Sequence, residues 1–472
     1  MRKALAWIGI VLAILILIPA ELYFVQGMRI EFTGNMKYRR ITWGSERKRL
    51  YAEVESSRAQ QSTLPEVAAP AALAEKESPA PAAKLIPASY WTDFRGPNRD
   101  GVYSEAAILT DWPPQGPPRL WKQPIGAGFA SFTFGEGRAY TIEQRRDKEA
   151  VTAYDPETGR ELWAFTYAAS FDEPLGGPGP RATPVFHDGL VYSLGANGDL
   201  YCLIAKTGKA KWSKNILADN DTKNIHWAMA GAPLIVDDMV IVTPGGTSGK
   251  SIVAYNRMTG APLWKSLNDR AAYTSPILAT LAGRRQIVWI SGERAVGIGV
   301  GDGKLLWEYP WPAQMDMNCS QPVVIDDSDV LLSSAQGPGA ALLKISSEGD
   351  GLTATVVWKN NRLKNKFNSS VLYQGYIYGF DEAILECMDP KTGELKWKGG
   401  RYGYGQLLLA GGYLVITTEQ GELVLVRATP ESHQELARFQ AIEGKTWNIP
   451  AIDNGLLLVR NTEEMACFRL GR

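Results

Sequence analysis

Short alternating runs of apolar and polar residues fill most of the chain, and each run breaks at glycine, asparagine or aspartate. Strict alternation over four to eight residues is the pattern of a β-strand. "ATPVFHDGLVYSLGANGDLYCL" (Ala182 to Leu203) shows the unit: two strands joined at Asp188-Gly189, then a turn at Asn197-Gly198 into a third. "SSVLYQGYIYGFDEAILECM" and "QLLLAGGYLVITTEQGELVLV" repeat the scheme. Val, Leu, Ile and Tyr occupy both faces of these strands, as expected for sheets stacked between neighbours.

A fourth strand follows in a recurring form. "AYDPETGRELW" (Ala153 to Trp163), "CLIAKTGKAKW", "AYNRMTGAPLW", "GIGVGDGKLLW" and "CMDPKTGELKW" each place glycine four residues before tryptophan. Asp-Pro or its equivalent opens a tight turn and glycine closes it with a positive φ. Weaker copies end at Trp121, Trp358 and Phe439, so the markers fall at 121, 163, 212, 264, 307, 358, 397 and 439. Their spacing, 39 to 52 residues, suits four-stranded propeller blades. After Phe439 only three strands remain, and "RLWKQPI" near the start supplies the missing fourth. The prediction is an all-β, eight-bladed β-propeller closed by strands from both ends of the chain, which leaves no free sheet edge at the seam.

The first ninety residues break the pattern. Arg2 and Lys3 precede an uncharged run from Ala4 to Ala20, long enough for a short membrane span. Ile18 stands where a signal-peptide cleavage site prefers a small residue, so an uncleaved single-span anchor is read in preference to a cleaved signal. Arg29, Lys37, Arg39 and Arg40 follow the span and outnumber the two cations before it, which by charge alone keeps the following domain in the cytoplasm. From about Glu53 to Ala88, Ala, Pro and Glu dominate, which reads as a semi-extended tether. The expected division is 1–27 as a transmembrane or signal-anchor segment, 28–89 as juxtamembrane segment and linker, and 90–472 as the propeller.

Lys plus Arg and Asp plus Glu are fifty each, so no overall field favours nucleic acid. Cys202, Cys319, Cys387 and Cys467 have no metal-type spacing and read as free thiols, and three scattered histidines exclude a histidine-rich metal site.

The eleven-residue copies resemble the tryptophan-docking motif of the pyrroloquinoline quinone (PQQ) repeat propellers, from about Tyr90 to Leu470. The resemblance implies that each tryptophan packs on the glycine peptide of the neighbouring motif, a structural role for Trp163, Trp212, Trp264, Trp307 and Trp397 with Gly159, Gly208, Gly260, Gly303 and Gly393. One branch of that family comprises quinoprotein dehydrogenases, which bind PQQ and calcium at the propeller centre. Another branch binds proteins without a cofactor, as in the propeller lipoprotein of the outer-membrane β-barrel assembly machinery.

The chemistry expected of the enzymatic branch is hard to find. Its adjacent cysteine pair is missing, and the segments leading into the inner strands offer Asp316 as their one carboxylate, whereas calcium wants six to eight oxygens. "GPNRDGVYSE" reads as a turn and "GGTSG" as a hairpin loop. Arg181, His226, Trp227, Asn318, Asn368, Arg401, Tyr404, Trp447 and Asn448 collect near the expected channel mouth. They form either a pocket for a ligand or peptide, with Arg181 and Arg401 gripping carboxylates, or a solvated channel lined by hydrogen-bonding groups. The expectation is a non-catalytic binding platform on the periplasmic face of the inner membrane, for envelope proteins or a small ligand, with neither cofactor nor metal. The alternative is a divergent dehydrogenase using PQQ and Ca2+ on an alcohol or sugar. Blades five and seven depart most from the motif, so their loops are candidate partner sites.

Overall fold

Eight antiparallel sheets arranged as a ring account for the alternating runs. The structure, a computed structural model, describes residues 18, 21–23, 25–63, 88–349 and 351–471. Blade 1 comprises Thr133–Gly135, Arg138–Arg145, Lys148–Tyr154 and Glu161–Ala168, and six further blades follow the same up-and-down order. Blade 8 takes Ala451–Asp453, Leu456–Arg460 and Glu464–Arg469 from the C-terminal end and Arg119–Pro124 from the N-terminal side. Cys467 faces Trp121 across that seam, so the predicted closure holds. The second strands are buried on both faces, as in Leu456–Arg460, where Leu456 to Val459 pack between neighbouring blades.

The docking motif works by reach from one blade to the next. The Trp163 indole donates to the Ala205 carbonyl at 2.9 Å, Trp212 to Arg257 at 2.9 Å and Trp264 to Val300 at 3.1 Å. Each acceptor lies three residues before a motif glycine. At Gly208, φ is +69° and an added Cβ would lie 2.6 Å from the Trp163 ring, so both conformation and space demand glycine. Gly159 is covered by Trp121 and Gly393 by Trp358, the two weak copies. Trp307 differs: its indole turns into its own sheet and donates to Gln286 at 2.5 Å, whereas Trp397, whose next blade also has no Thr-Gly turn, still reaches the Thr429 carbonyl at 2.7 Å.

One marker is corrected. Every outer strand carries a bulge just before the tryptophan register, pairing Cys202 with Trp212 and then Leu203 with Ala210. In blade 7, Leu425 pairs with Ala437 and Val426 with Glu435. Ala437 therefore holds the tryptophan position, and Phe439 lies two residues beyond it, packed on Trp112 and Phe468. The number of blades is unaffected.

The segment before the ring is more ordered than its composition suggests. Strands β1 (Arg29–Phe32) and β2 (Tyr38–Thr42) form a hairpin, and helix α1 runs over Gly44–Thr63. The tether predicted from Glu53 is corrected over its first eleven residues. "SERKRLYAEVESSRAQQ" is rich in helix formers and free of proline. Val54 is buried, Arg58 donates to the Pro124 carbonyl at 2.8 Å and lies over the Tyr154 ring, and Gln61 donates to Gln123 at 2.7 Å. Residues 64–87 and, Ile18 apart, the run Ala4–Ala20 lie outside the described residues; among those described, no helix is long and apolar enough to cross a membrane.

Candidate functional site: a channel closed at both ends

The "YWTDFRGPNRDGV" stretch turns at Gly96 and Gly101, as expected, but it turns inside the propeller. It touches seven blades in thirteen residues. The amides of Tyr90 and Trp91 donate to Asp453, and the Trp91 and Thr92 carbonyls accept from Phe134 and Phe186. Arg99 donates to Pro276 at 2.8 Å and to Pro233, and pairs with Asp93 at 2.8 Å. Arg95 donates to Ser370 at 2.9 Å, and β3 (Val102–Tyr103) pairs in parallel with the inner strand of blade 7. Arg95 is 2 % exposed and Arg99 3 %. Their guanidiniums supply donors to carbonyls that the ring leaves open at its axis. This stretch is the floor of the channel.

The hairpin is its roof. The Gly34 amide donates to Glu419 Oε1 at 2.6 Å, and Lys366 Nζ donates to the Gly34 carbonyl, so both backbone polar atoms of one residue are held. A Cβ on Gly34 would come within 2.1 Å of the Tyr404 ring, hence glycine at the tip. Glu419 also accepts from the Trp447 indole at 3.0 Å. Beyond the tip, contact is ionic: Arg47 meets Asp172 at 2.6 Å, and Arg40 meets Glu463.

Between floor and roof lies a chamber of about 410 Å³. Phe94 rises from below, Phe32 and Met36 close it above, and Phe129, Trp227, Tyr273, Met317, Phe367 and Trp447 form much of the wall. The lining carries two cations, Arg181 and Lys366, and no carboxylate. Burial draws the Lys366 ammonium below its ordinary range and the Arg181 guanidinium down to about 10. Beside the chamber, under the hairpin, Lys445 lies over the Trp447 ring, 4.2 Å from its centroid, and burial lowers it to about 8.

The nine residues singled out from sequence divide into distinct roles. Arg181 and Trp227 line the chamber, but Arg181 already donates to the Gly177 carbonyl at 2.7 Å and to Gly179, and stacks on Phe171. Trp447 lines it too, and Tyr404 supports the roof turn. Asn318, Asn368 and Asn448 are clamps between successive blades: their amides donate to Ser291 and Trp311, to Gly405, and to Gly128 and Ala130. His226 is exposed beside Glu173, and Arg401 ends the outer strand of blade 6 in solvent. Asp316 turns to Arg270, 3.0 Å away. Sequence reasoning missed Glu419, Lys366, Phe94 and the whole hairpin. Lys366 directly precedes the "FNSSV" lead-in.

Among the described residues no three His, Cys, Asp or Glu side chains gather in a metal-binding group. The chamber's donor set, two cations among aromatic and thioether groups, does not fit a calcium ion that needs several carboxylate or carbonyl oxygens.

Comparison with known proteins places this arrangement. The sequence profile of outer membrane protein assembly factor BamB matches residues 147–399, just over half of the chain. BamB of Burkholderia pseudomallei is 20 % identical over 322 residues, covering 64 % of this chain and 75 % of the relative. The crystal structure of BamB from Moraxella catarrhalis superposes with a TM-score of 0.53 at 14 % identity, over 75 % of this chain and 97 % of that one. The quinohemoprotein alcohol dehydrogenase ADHIIG of Pseudomonas putida HK5 gives 0.57 at 13 % identity, over 81 % and 80 %. At such identities the structural matches speak for the fold alone.

Proposed function

The chain belongs to the family of outer membrane protein assembly factor BamB, and from that premise we propose that it is a membrane-anchored, non-catalytic propeller of the cell envelope that holds a protein partner or small ligand. The observation that carries this reading is the grip on Gly34: the channel mouth holds the N–H and the C=O of one backbone residue. A surface that meets both polar atoms of a backbone unit, with aromatic rings around it, suits polypeptide recognition. The exposed loops of blades five and seven, around Ser347 and Ser432, are the outer candidates.

We further propose that the N-terminal run anchors the chain in the inner membrane, with the propeller in the periplasm. The cations that weigh against this orientation have structural work: Arg39 and Arg40 pair with Glu31, and Arg29 approaches Asp172 at 3.7 Å. Their presence therefore has an explanation other than topology.

The quinoprotein reading gains support from the fold it shares with the alcohol dehydrogenases, but the chamber's side chains do not supply the calcium site, and no step is derived through PQQ. The test places a photoreactive side chain at Ser347, at Ser432 and, as a control, at Met258, in living cells. Discrete adducts with an envelope protein from the first two positions and not the third are expected. Identical labelling at all three would contradict the platform. Dye reduction by the purified chain with PQQ, Ca2+ and an alcohol would restore the enzyme.

A further inference from the structure

The roof hairpin is built inside out. Side chains on paired strands alternate between two faces, and the register sets Arg29 opposite Thr42, Ile30 opposite Ile41 and Glu31 opposite Arg40. The charged side chains reach the propeller: Glu31 takes Arg40 at 2.9 Å, Arg29 approaches Asp172, and Arg40, itself two-fifths exposed, reaches Glu463. Ile30 and Ile41 point the other way, 41 % and 40 % exposed, and Tyr38, 62 % exposed, pairs with Phe32 beyond the register shift. A sheet with one face on a protein and the other in water places its apolar residues inward and its charges outward. Over Arg29–Glu31 and Arg40–Thr42 the order is reversed, while Phe32, past the register shift, lines the chamber.

The reversal is local. Of fourteen exposed large apolar side chains among the described residues, six fall between Ile18 and Ile41, and the rest are scattered over the blades. Scattered apolar residues are ordinary, whereas a concentration of them marks a surface that something covers.

The chain itself identifies the cover. β1 begins nine residues after Ala20, the end of the uncharged run from Ala4. Nine residues span about 30 Å at full extension, so the hairpin cannot stand far from whatever that run enters. Seventeen uncharged, mostly apolar residues suit a bilayer. Tyr38, with an apolar ring and a polar tip, and exposed Lys37 suit its headgroup layer.

We propose that the Ile30–Tyr38–Ile41 face lies against the lipid bilayer that holds the N-terminal run. The roof then points to the membrane, and the floor side of the propeller points away from it. This inference rests on the anchored reading above and adds to it an orientation: the floor side and the blade rims are free for partners, and the mouth is free for one only when the roof lifts.

The experiment uses the full chain in vesicles of phosphatidylethanolamine and phosphatidylglycerol, with Cys319→Ser and one nitroxide at Ile30→Cys or Ile41→Cys. Leu263→Cys and Leu436→Cys, on exposed outer strands of blades 3 and 7, are the references. Collision with oxygen is expected to exceed collision with a nickel chelate at the two hairpin positions, and the ratio to reverse at the references. Nickel access at Ile30 and Ile41 equal to the references, in chains that float with the vesicles, would overturn this orientation and leave the anchor intact. Protection from both reagents that vanishes on dilution of the protein would assign the face to a second copy and also overturn it. Chains that do not float would sink both readings.

Discussion

The two closures of the channel are made by opposite means. The floor is fastened by buried guanidiniums that donate to carbonyls of blades 3, 4 and 6, and by a parallel strand added to blade 7. Removing it would strand those carbonyls in the axis, where each unmet polar group costs about 1–3 kcal/mol. The roof is fastened by one gripped residue, Gly34, and by ion pairs whose side chains are roughly a fifth to two-fifths exposed. Exposed pairs contribute about 0–1 kcal/mol each. The floor is therefore part of the ring's stability, and the roof is an attachment that can leave a folded ring behind. Two segments that lie on either side of one chamber have different thermodynamic standing.

The largest effect is expected at the floor. Arg99→Ala removes three carbonyl contacts and leaves Asp93 buried without its cation, a loss of about 3–5 kcal/mol in urea unfolding of the whole ring. A loss below about 1 kcal/mol would erase the distinction between floor and roof.

Gly34→Val tests the other side. Its Cβ meets the Tyr404 ring, so the tip must lift. The expected outcome is an open chamber, read as quenching of Trp447 fluorescence by a soluble quencher, with the unfolding midpoint of the ring nearly unchanged. A fall in that midpoint as large as that of Arg99→Ala would show the roof to be integral.

A smaller, pH-dependent effect follows from Lys445. Burial among Phe129 and Trp447, close to Arg39 and Arg181 and only partly offset by Glu31 and Glu419, lowers its ammonium to about 8. A base lowered in the folded state binds fewer protons there than when released, so docking strengthens as pH rises through 8 toward 10. Between pH 7 and 9 the roof should close more tightly by up to about tenfold, the equivalent of one pKa unit. The floor should show no such change, and Lys445→Met should abolish the effect at the roof.

The ring was readable from sequence because its information is local and repeated. A turn glycine, a tryptophan four residues on and alternating strands between them suffice, and eight copies average out the weak ones. Phe439 misled because aromatic character suggested a register that only the bulge defines, and the bulge gives the position to Ala437. The chamber was less readable because its parts are far apart in sequence: Gly34 meets Glu419 across 385 residues and Lys366 across 332. Arg181, Trp227, Tyr404 and Trp447 were found as polar and aromatic groups in lead-in segments. The same criterion also gathered Asn318, Asn368 and Asn448, whose partners are backbone carbonyls that no sequence pattern displays. The hairpin's charges read as membrane-flanking cations because their partners, Asp172 and Glu463, lie far along the chain.

The most direct test is native-state hydrogen exchange on the full chain in lipid. The account predicts that amides within the floor, among them Gly101 and Trp91, exchange only with unfolding of the ring, while the Gly34 and Lys37 amides of the roof exchange sooner through a separate opening. Equal protection of the two segments, or a floor that opens before the roof, would contradict it.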